Sequence, residues 1–302
     1  MTPLKLQPIP YQGSKRALAP RICKLFPKSI DTLYEPFAGS AAISVYAATH
    51  NLARKYVIGD VYPELVQLLT LIINKPDDIS TRYQSLWEGQ FIEGASHFNS
   101  MRTRYNDDRD PAILLYLIAR CVKNAIRFNR QGNFTQSVDK RRTGMQPQKF
   151  EATAHAVSRL LKGKAEVICA DFAACAANAR PHDLVYMDPP YQGTTYGADK
   201  RYAEQLERDR LVSCLADLNR RDVPFILSYD GKTGDKEYGA RLPDSLNATH
   251  LYIHAGRSSQ ATLAGRNEVT LESIYISASA AEYLTSLPNY EKETARQFEL
   301  FA

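Results

Sequence analysis

The run Leu184-Val185-Tyr186-Met187 is uninterruptedly apolar and stops abruptly at Asp188-Pro189-Pro190-Tyr191. Four apolar residues without alternation suit a strand buried on both faces, as in a parallel sheet covered by helices. Two prolines then end it, because neither can donate to a ladder and each locks φ. Asp188 and the rigid carbonyls after it are thereby expected at the carboxyl end of a strand, where open α/β sheets take ligands. Tyr191 adds a flat ring beside them. Acceptors next to a stacking surface suit a planar base carrying an exocyclic amino group. Taken alone, the tetrapeptide fits an ordinary proline turn equally well, so the rest of the chain has to decide.

The flanking segments repeat the same grammar. Asp31 to Tyr34 reads as a short strand leading into Glu35-Pro36-Phe37-Ala38-Gly39-Ser40, with a helix through Ala48. Tyr56 to Gly59 makes a second strand ending at Asp60, and Pro63 opens a helix that runs through Ile73. Strand, glycine turn, helix and a second strand ending in an acid form a nucleoside-binding α/β half. Gly39 lets the backbone approach a ligand, and Asp60 is positioned to accept from ribose hydroxyls. The turn is not G-x-G-x-x-G, which argues against NAD and for a nucleoside without phosphates. Neither Gly231-Lys232-Thr233 nor Gly13-Ser14-Lys15 completes a phosphate loop: the first meets Ile226 where a glycine is needed, and the second lacks a Gly-Lys pair. Further strands are expected at Glu166–Ala170, ending in Asp171-Phe172, and at Pro224–Ser228. Leu251–His254 and Leu271–Ile276 should form a closing antiparallel pair.

Residues from about Lys75 to His155 differ in character, being polar, rich in Tyr and Arg, and mostly helical in pattern. The clearest helix begins at Asp110-Pro111, an Asp cap with proline in the first turn. Leu114, Ile118, Cys121, Val122 and Ala125 would form its apolar stripe, with Arg120, Lys123, Asn124 and Arg127 on an exposed basic face. Phe128 to Phe134 reads as a tight hairpin or loop with Gly132 at its turn. The window Arg120–Lys149 holds eight basic residues against Asp139 alone, a larger excess than the net +5 of all 302 residues. Basic character this local suits a polyanion-binding surface. We therefore expect a Rossmann-like α/β unit, residues 1–74 and 160–302, interrupted by a mostly helical unit, residues 75–159.

Other classes are disfavoured. No apolar run reaches the ~18 residues of a membrane helix, and the N-terminus lacks a signal-peptide core, so a cytoplasmic location is expected. The five cysteines are scattered without a C-x-x-C pair, which suits reduced thiols. The six histidines supply no convincing ligand spacing, and no metal is expected.

Five segments in order resemble one family. Tyr11-Gln12-Gly13-Ser14-Lys15 looks like the opening motif of the Dam-like, D12 class of DNA adenine N6-methyltransferases. Glu35 to Ser40 is similar to the family's loop for S-adenosyl-L-methionine (AdoMet), Asp60 to its ribose acid, and Asp171-Phe172 to its adenine pocket. Asp188-Pro189-Pro190-Tyr191 matches its catalytic motif, and Arg127 through Phe134 resembles its DNA-reading hairpin. The similarity spans about Ile9 to Ile276. Where the family often carries a second glycine, this chain has Ala41, a departure that bears on cofactor affinity.

The resemblance implies an AdoMet-dependent methyltransferase fold with an inserted recognition unit, acting on one adenine amine in a short duplex DNA sequence. Tyr11, Lys15, Glu35, Phe37, Gly39, Asp60, Asp171, Phe172 and Asp188 would surround the cofactor. Asp188 and the carbonyl of Pro189 would accept the two hydrogens of the amine, Pro190 would stiffen the motif, and Tyr191 would stack on the base. Asn129, Arg130, Gln131 and Asn133 are candidates for reading base edges. Arg127, Lys140, Arg141 and Arg142 are candidates for phosphate contacts, and Lys123 is a further candidate DNA contact. Arg257-Ser258-Ser259 is a further candidate DNA contact. Duplex DNA is the implied partner, inside a prokaryotic or phage-infected cell, with a cognate restriction endonuclease as the companion such enzymes can have. Cytosine-N4 methylation, methylation of RNA or a protein amide, and a catalytically silent DNA-binding module remain alternatives. Asp rather than Ser at position 188 leans toward adenine.

Overall fold

A computed structural model describes residues 6–190, 208–233, 236–238, 241–257 and 269–282. The apolar runs become strands β1 (Thr32–Glu35), β2 (Lys55–Asp60), β3 (Ala165–Cys169), β4 (Leu184–Met187) and β5 (Phe225–Thr233). They are followed by β6 (Lys236–Tyr238), β7 (Thr249–Arg257) and β8 (Val269–Ile276). Among the described residues these make one sheet in the order β3-β2-β1-β4-β5-β8-β7, with β6 on β5. The first five are parallel, and β8 runs antiparallel between β5 and β7. This is the Rossmann-like mixed α/β sheet that the sequence leads one to expect.

All four residues of β4 are buried. Successive side chains of a strand point to opposite faces. Leu184 and Tyr186 accordingly join one core, whereas Val185 and Met187 join another. Helices α1 (Ala19–Ile22), α2 (Ala42–Thr49) and α3 (Pro63–Asn74) belong to the first core through Ile22, Ile43, Leu65, Leu68 and Ile72. Helices α8 (Phe172–Ala176) and α9 (Arg208–Arg220) close the second through Phe172, Leu211 and Leu215. Strand order reverses between β1 and β4, and such a reversal opens a crevice at the carboxyl ends of the two strands. Those ends carry Glu35 and Asp188.

Between α3 and β3 lie four more helices: α4 (Pro76–Glu93), α5 (His97–Asp108), α6 (Pro111–Arg120) and α7 (Pro147–Leu161). Helix α7 packs on α2, α3 and α4, so it ties this segment to the sheet. One apolar cluster runs continuously from Leu33 and Ile58 in the sheet to Tyr83, Tyr105 and Phe134 in the segment. Residue 159 falls inside α7.

Helix α6 begins as its sequence predicts: Asp110 Oδ1 accepts from the backbone N–H of Ala112 at 2.7 Å. Its far end corrects the expectation. The helix stops at Arg120, and every residue from Ala112 to Ala119 is buried. Lys123 (φ 60°) and Asn124 (φ 52°) turn left-handed, and Asn124 Nδ2 donates to the orphan carbonyl of Ile118 at 2.9 Å. Val122 is consequently exposed rather than part of an apolar stripe. Arg120, Lys123, Asn124 and Arg127 do not share a helical face. The hairpin is found where expected, with Phe128 opposite Phe134 and Gly132 at φ 77°. Among the described residues, no helix is long and apolar enough to cross a membrane.

Candidate active site

Four parallel strands deliver an acid or an acid-bearing turn to the same edge of the sheet. At the end of β1, Glu35 Oε2 accepts from Ser44 N at 2.8 Å and Oε1 from Ile43 N at 3.3 Å, tying the loop to the start of α2. Burial pushes the Glu35 carboxyl up to about 7, tempered by those hydrogen bonds. At the end of β2, Asp60 accepts from Gly39 N at 2.9 Å and Tyr62 N at 3.0 Å, and burial raises its pKa. The loop between them is tight. Gly39 has φ 50°, and a methyl group there would lie 3.0 Å from the ring of Tyr11. Ala41 takes φ 53° and ψ 38°, a left-handed conformation, while fully buried. A second glycine would suit this position sterically.

After β3, Asp171 caps α8 by accepting from Ala173 N at 3.0 Å. Its other oxygen accepts from Arg210 Nη2 at 2.7 Å. Arg210 also lies 5.4 Å from the ring centroid of Phe172, which itself stacks on Phe37 at 5.3 Å. At the end of β4, Asp188 meets Lys15, Nζ to Oδ1 2.7 Å. Lys15 gets there because Gly13 (φ 83°) turns the chain, and Ser14 Oγ bonds Ser40 Oγ at 2.9 Å. Its ammonium also touches Glu272 Oε1 of β8 at 2.9 Å. Burial alone would lower the Lys15 pKa, but the carboxylates of Asp188 and Glu272 override it and raise it. Burial also raises Asp188, opposed by Lys15 and assisted by Glu272.

These groups surround one cavity of about 430 Å³. Tyr11 and Lys15 reach it from the N-terminal turn, and Glu35, Phe37 and Gly39 from the loop after β1. Asp60 comes from β2, Asp171 and Phe172 from the turn into α8, and Asp188 and Pro190 from the end of β4. Pro189 is buried between its two neighbours. Tyr191 lies outside the described residues. Sequence reasoning did not single out Arg210, Tyr62 or Tyr186, which also line the cavity, nor Glu272 behind Lys15. Glu272 had one legible signal: an acid in the middle of the apolar run Leu271–Ile276 needs a buried partner.

The family model for D12 class N6 adenine-specific DNA methyltransferase matches residues 11–259. The chain belongs to this family. The Retron Ec67 DNA adenine methylase of Escherichia coli is 28% identical, covering 88% of this chain and 90% of that protein. The DNA N-6-adenine-methyltransferase of Escherichia phage P1 is 26% identical over 75% of this chain. The Type II methyltransferase M.FokI of Planomicrobium okeanokoites is 25% identical over 89% of this chain. The chain spans only 30% of the phage protein's length and 42% of the M.FokI length. A precorrin 8w decarboxylase structure from Methanobacterium thermoautotrophicum overlays 85% of this chain and 88% of its own at 10% identity and a TM-score of 0.33, too distant to carry an argument.

In this D12-class chain the DNA-contact candidates fall into two groups. Lys123, Arg130, Gln131, Lys140 and Arg141 are exposed, with Arg130 and Gln131 at the hairpin tip; Asn129 and Arg142 are exposed as well, but hydrogen bonds tie their side chains down. The others are built into the scaffold. Asn129 Oδ1 accepts from the backbone N–H groups of Gln131 and Asn133 at 3.0 and 2.9 Å, closing the turn. Asn133 Oδ1 accepts from Arg109 at 3.5 Å, and Arg127 is half-buried. The Arg142 guanidinium donates to Asp139 at 3.0 Å, Asn124 Oδ1 at 3.1 Å and the Cys121 carbonyl at 3.0 Å. Arg141 also pairs with Asp139, yet 87% of its side chain is exposed. Arg257 ends β7, while Ser258 and Ser259 lie outside the described residues.

Proposed function

We propose that this chain is a site-specific DNA-methyltransferase that transfers a methyl group from S-adenosyl-L-methionine to the N6 amine of adenine in duplex DNA. One observation carries the reading: Asp188 opens onto the same cavity as the acids that end β1 and β2 and the aromatic pair Phe37–Phe172. The cavity fits such a cofactor in size, within the ~300–1,000 Å³ usual for small-ligand sites. It also fits in character, being lined both by the stacked rings of Phe37 and Phe172 and by carboxylates.

When bound, AdoMet supplies an activated methyl group on a sulfonium, so neither a metal nor a covalent nucleophile is needed. Asp60 would hold the ribose hydroxyls, and Phe37 and Phe172 with Asp171 would receive the adenine of the cofactor. Adenine N6 is a poor nucleophile because its lone pair is delocalised into the ring. Asp188 and the Pro189 carbonyl accept its two hydrogens and draw the nitrogen toward tetrahedral geometry. Lys15 holds Asp188 through Oδ1. Tyr191 stacks on the base. Positioning of this kind supplies up to ~7–11 kcal/mol.

The base has to leave the duplex to reach Asp188, at a cost of a few kcal/mol. Residues 75–159 serve as the target-recognition unit that compensates through phosphate contacts, with residues 1–74 and 160–302 as the catalytic unit. Exposed Arg130 and Gln131 are the foremost base readers, and Lys123, Lys140 and Arg141 the foremost phosphate contacts. The place of work is the cytoplasm of a prokaryotic or phage-infected cell. A relative named as a modification methylase, LlaI of Lactococcus lactis, motivates a search for a cognate endonuclease.

The test is base analysis of duplex DNA incubated with the chain and labelled AdoMet. N6-methyladenine is expected, and Asp188→Ala should abolish it while DNA binding persists. Recovery of N4-methylcytosine alone, or label in RNA or protein instead of DNA, sinks the proposal.

A further inference from the structure

We propose that Glu272 is a positioning residue for methyl transfer: by sharing the Lys15 ammonium, it keeps Asp188 an effective acceptor for the target amine. The inference rests on the function proposed above and adds a residue to it. Lys15 Nζ lies 2.7 Å from Asp188 and 2.9 Å from Glu272, and the side chains of Lys15 and Glu272 are 10% and 9% exposed. Lys15 and Asp188 line the cavity, whereas Glu272 stands behind Lys15 on β8. There it pairs in register with Gly231 of β5 and Ile253 of β7. It acts through Lys15 rather than on the base.

The physical argument concerns how one ammonium is divided. In a buried site, a lysine facing a single carboxylate neutralises it and competes for its lone pairs. A second carboxylate draws the ammonium toward itself and leaves the ionised trio with one net negative charge. Asp188 then keeps more of its proton affinity and more of its strength as an acceptor. The groups acting on Asp188 are Lys15 from the N-terminal turn, Glu272 from β8, Tyr186 from its own strand and Glu35 from β1. Removing the charge of Glu272 makes Asp188 a weaker base and a weaker acceptor together.

Asp188 works ionised, so kcat falls on the acid side as Asp188 takes up a proton. Glu272→Gln keeps an oxygen for the Lys15 N–H and removes only the charge. Glu272→Met fills a similar volume and supplies a second uncharged variant should the amide fail to fold. In either, the acid limb of the kcat profile is expected to move down by about one pH unit, the usual size of one nearby charge. The plateau kcat should fall by roughly tenfold, as for a misaimed reacting group. Glu272→Asp, which keeps the charge, should leave the acid limb near its wild-type position. A folded Gln or Met variant whose acid limb coincides with wild type overturns the proposal, even if its melting temperature drops. Absence of methyl transfer by the wild-type chain overturns the underlying function instead.

Discussion

At the scale of single residues, the loop after β1 carries the sharpest conflict between sequence and backbone. Ala41 is left-handed, a conformation that costs an L-residue with a Cβ about 1–2 kcal/mol. Its buried methyl returns about 0.8 kcal/mol of that. Relief should therefore outweigh the lost contact, and Ala41→Gly is expected to raise stability slightly, by under ~1 kcal/mol. Urea unfolding of both chains checks this, and a loss above ~1 kcal/mol would show that the methyl contact dominates. That the acids following β1, β2, β3 and β4 line one cavity was readable beforehand, because each follows a strand-forming run and strand ends share one edge. Glu272 was not readable in that way. Its partner lies at the other end of the chain, and only the insertion of β8 between β5 and β7 brings the two together.

Among elements, the strands were legible and the helical segment less so. A run such as Leu184–Met187 needs nothing beyond its own composition to specify burial on both faces. Helix α6 is different, since spacing alone extends it past Arg120. Its true end depends on two left-handed residues and a cap supplied by Asn124, features that hydrophobic periodicity does not register. The same local structure separates two adjacent arginines by role. Arg142 braces Asp139, Asn124 and Cys121, whereas Arg141 is mostly exposed. Arg141→Ala is expected to weaken DNA binding on all sequences and to flatten the log–log salt dependence by about one unit. Arg142→Ala should instead lower the melting temperature by roughly a few degrees, with the salt slope of its folded form retained. Binding isotherms at several salt concentrations, paired with thermal melts, distinguish the two. Equal salt slopes for Arg141→Ala and wild type would remove Arg141 from the contact surface.

For the whole molecule, the continuous cluster from Leu33 to Phe134 implies one cooperative unit. Calorimetry is expected to show a single unfolding transition in which fluorescence of Trp87, in α4, changes together with the far-ultraviolet signal of the sheet. Two separated transitions would show that residues 75–159 melt on their own. Three further ties cross the same boundary: Gln12 N donates to Asn124 O at 3.0 Å, Tyr62 tilts against Phe128 at 5.9 Å, and Ser158 Oγ donates to the Ile73 carbonyl at 2.6 Å. On the proposed function, specificity in such a molecule is not a removable cassette. A chimera spliced at residues 75 and 159 would sever α7 two residues before its end and graft a foreign hairpin ring onto the Tyr62 of the host. Exchange of sequence preference between relatives would have to carry the whole of α7 and the partners of Phe128 and Asn124 along with the hairpin.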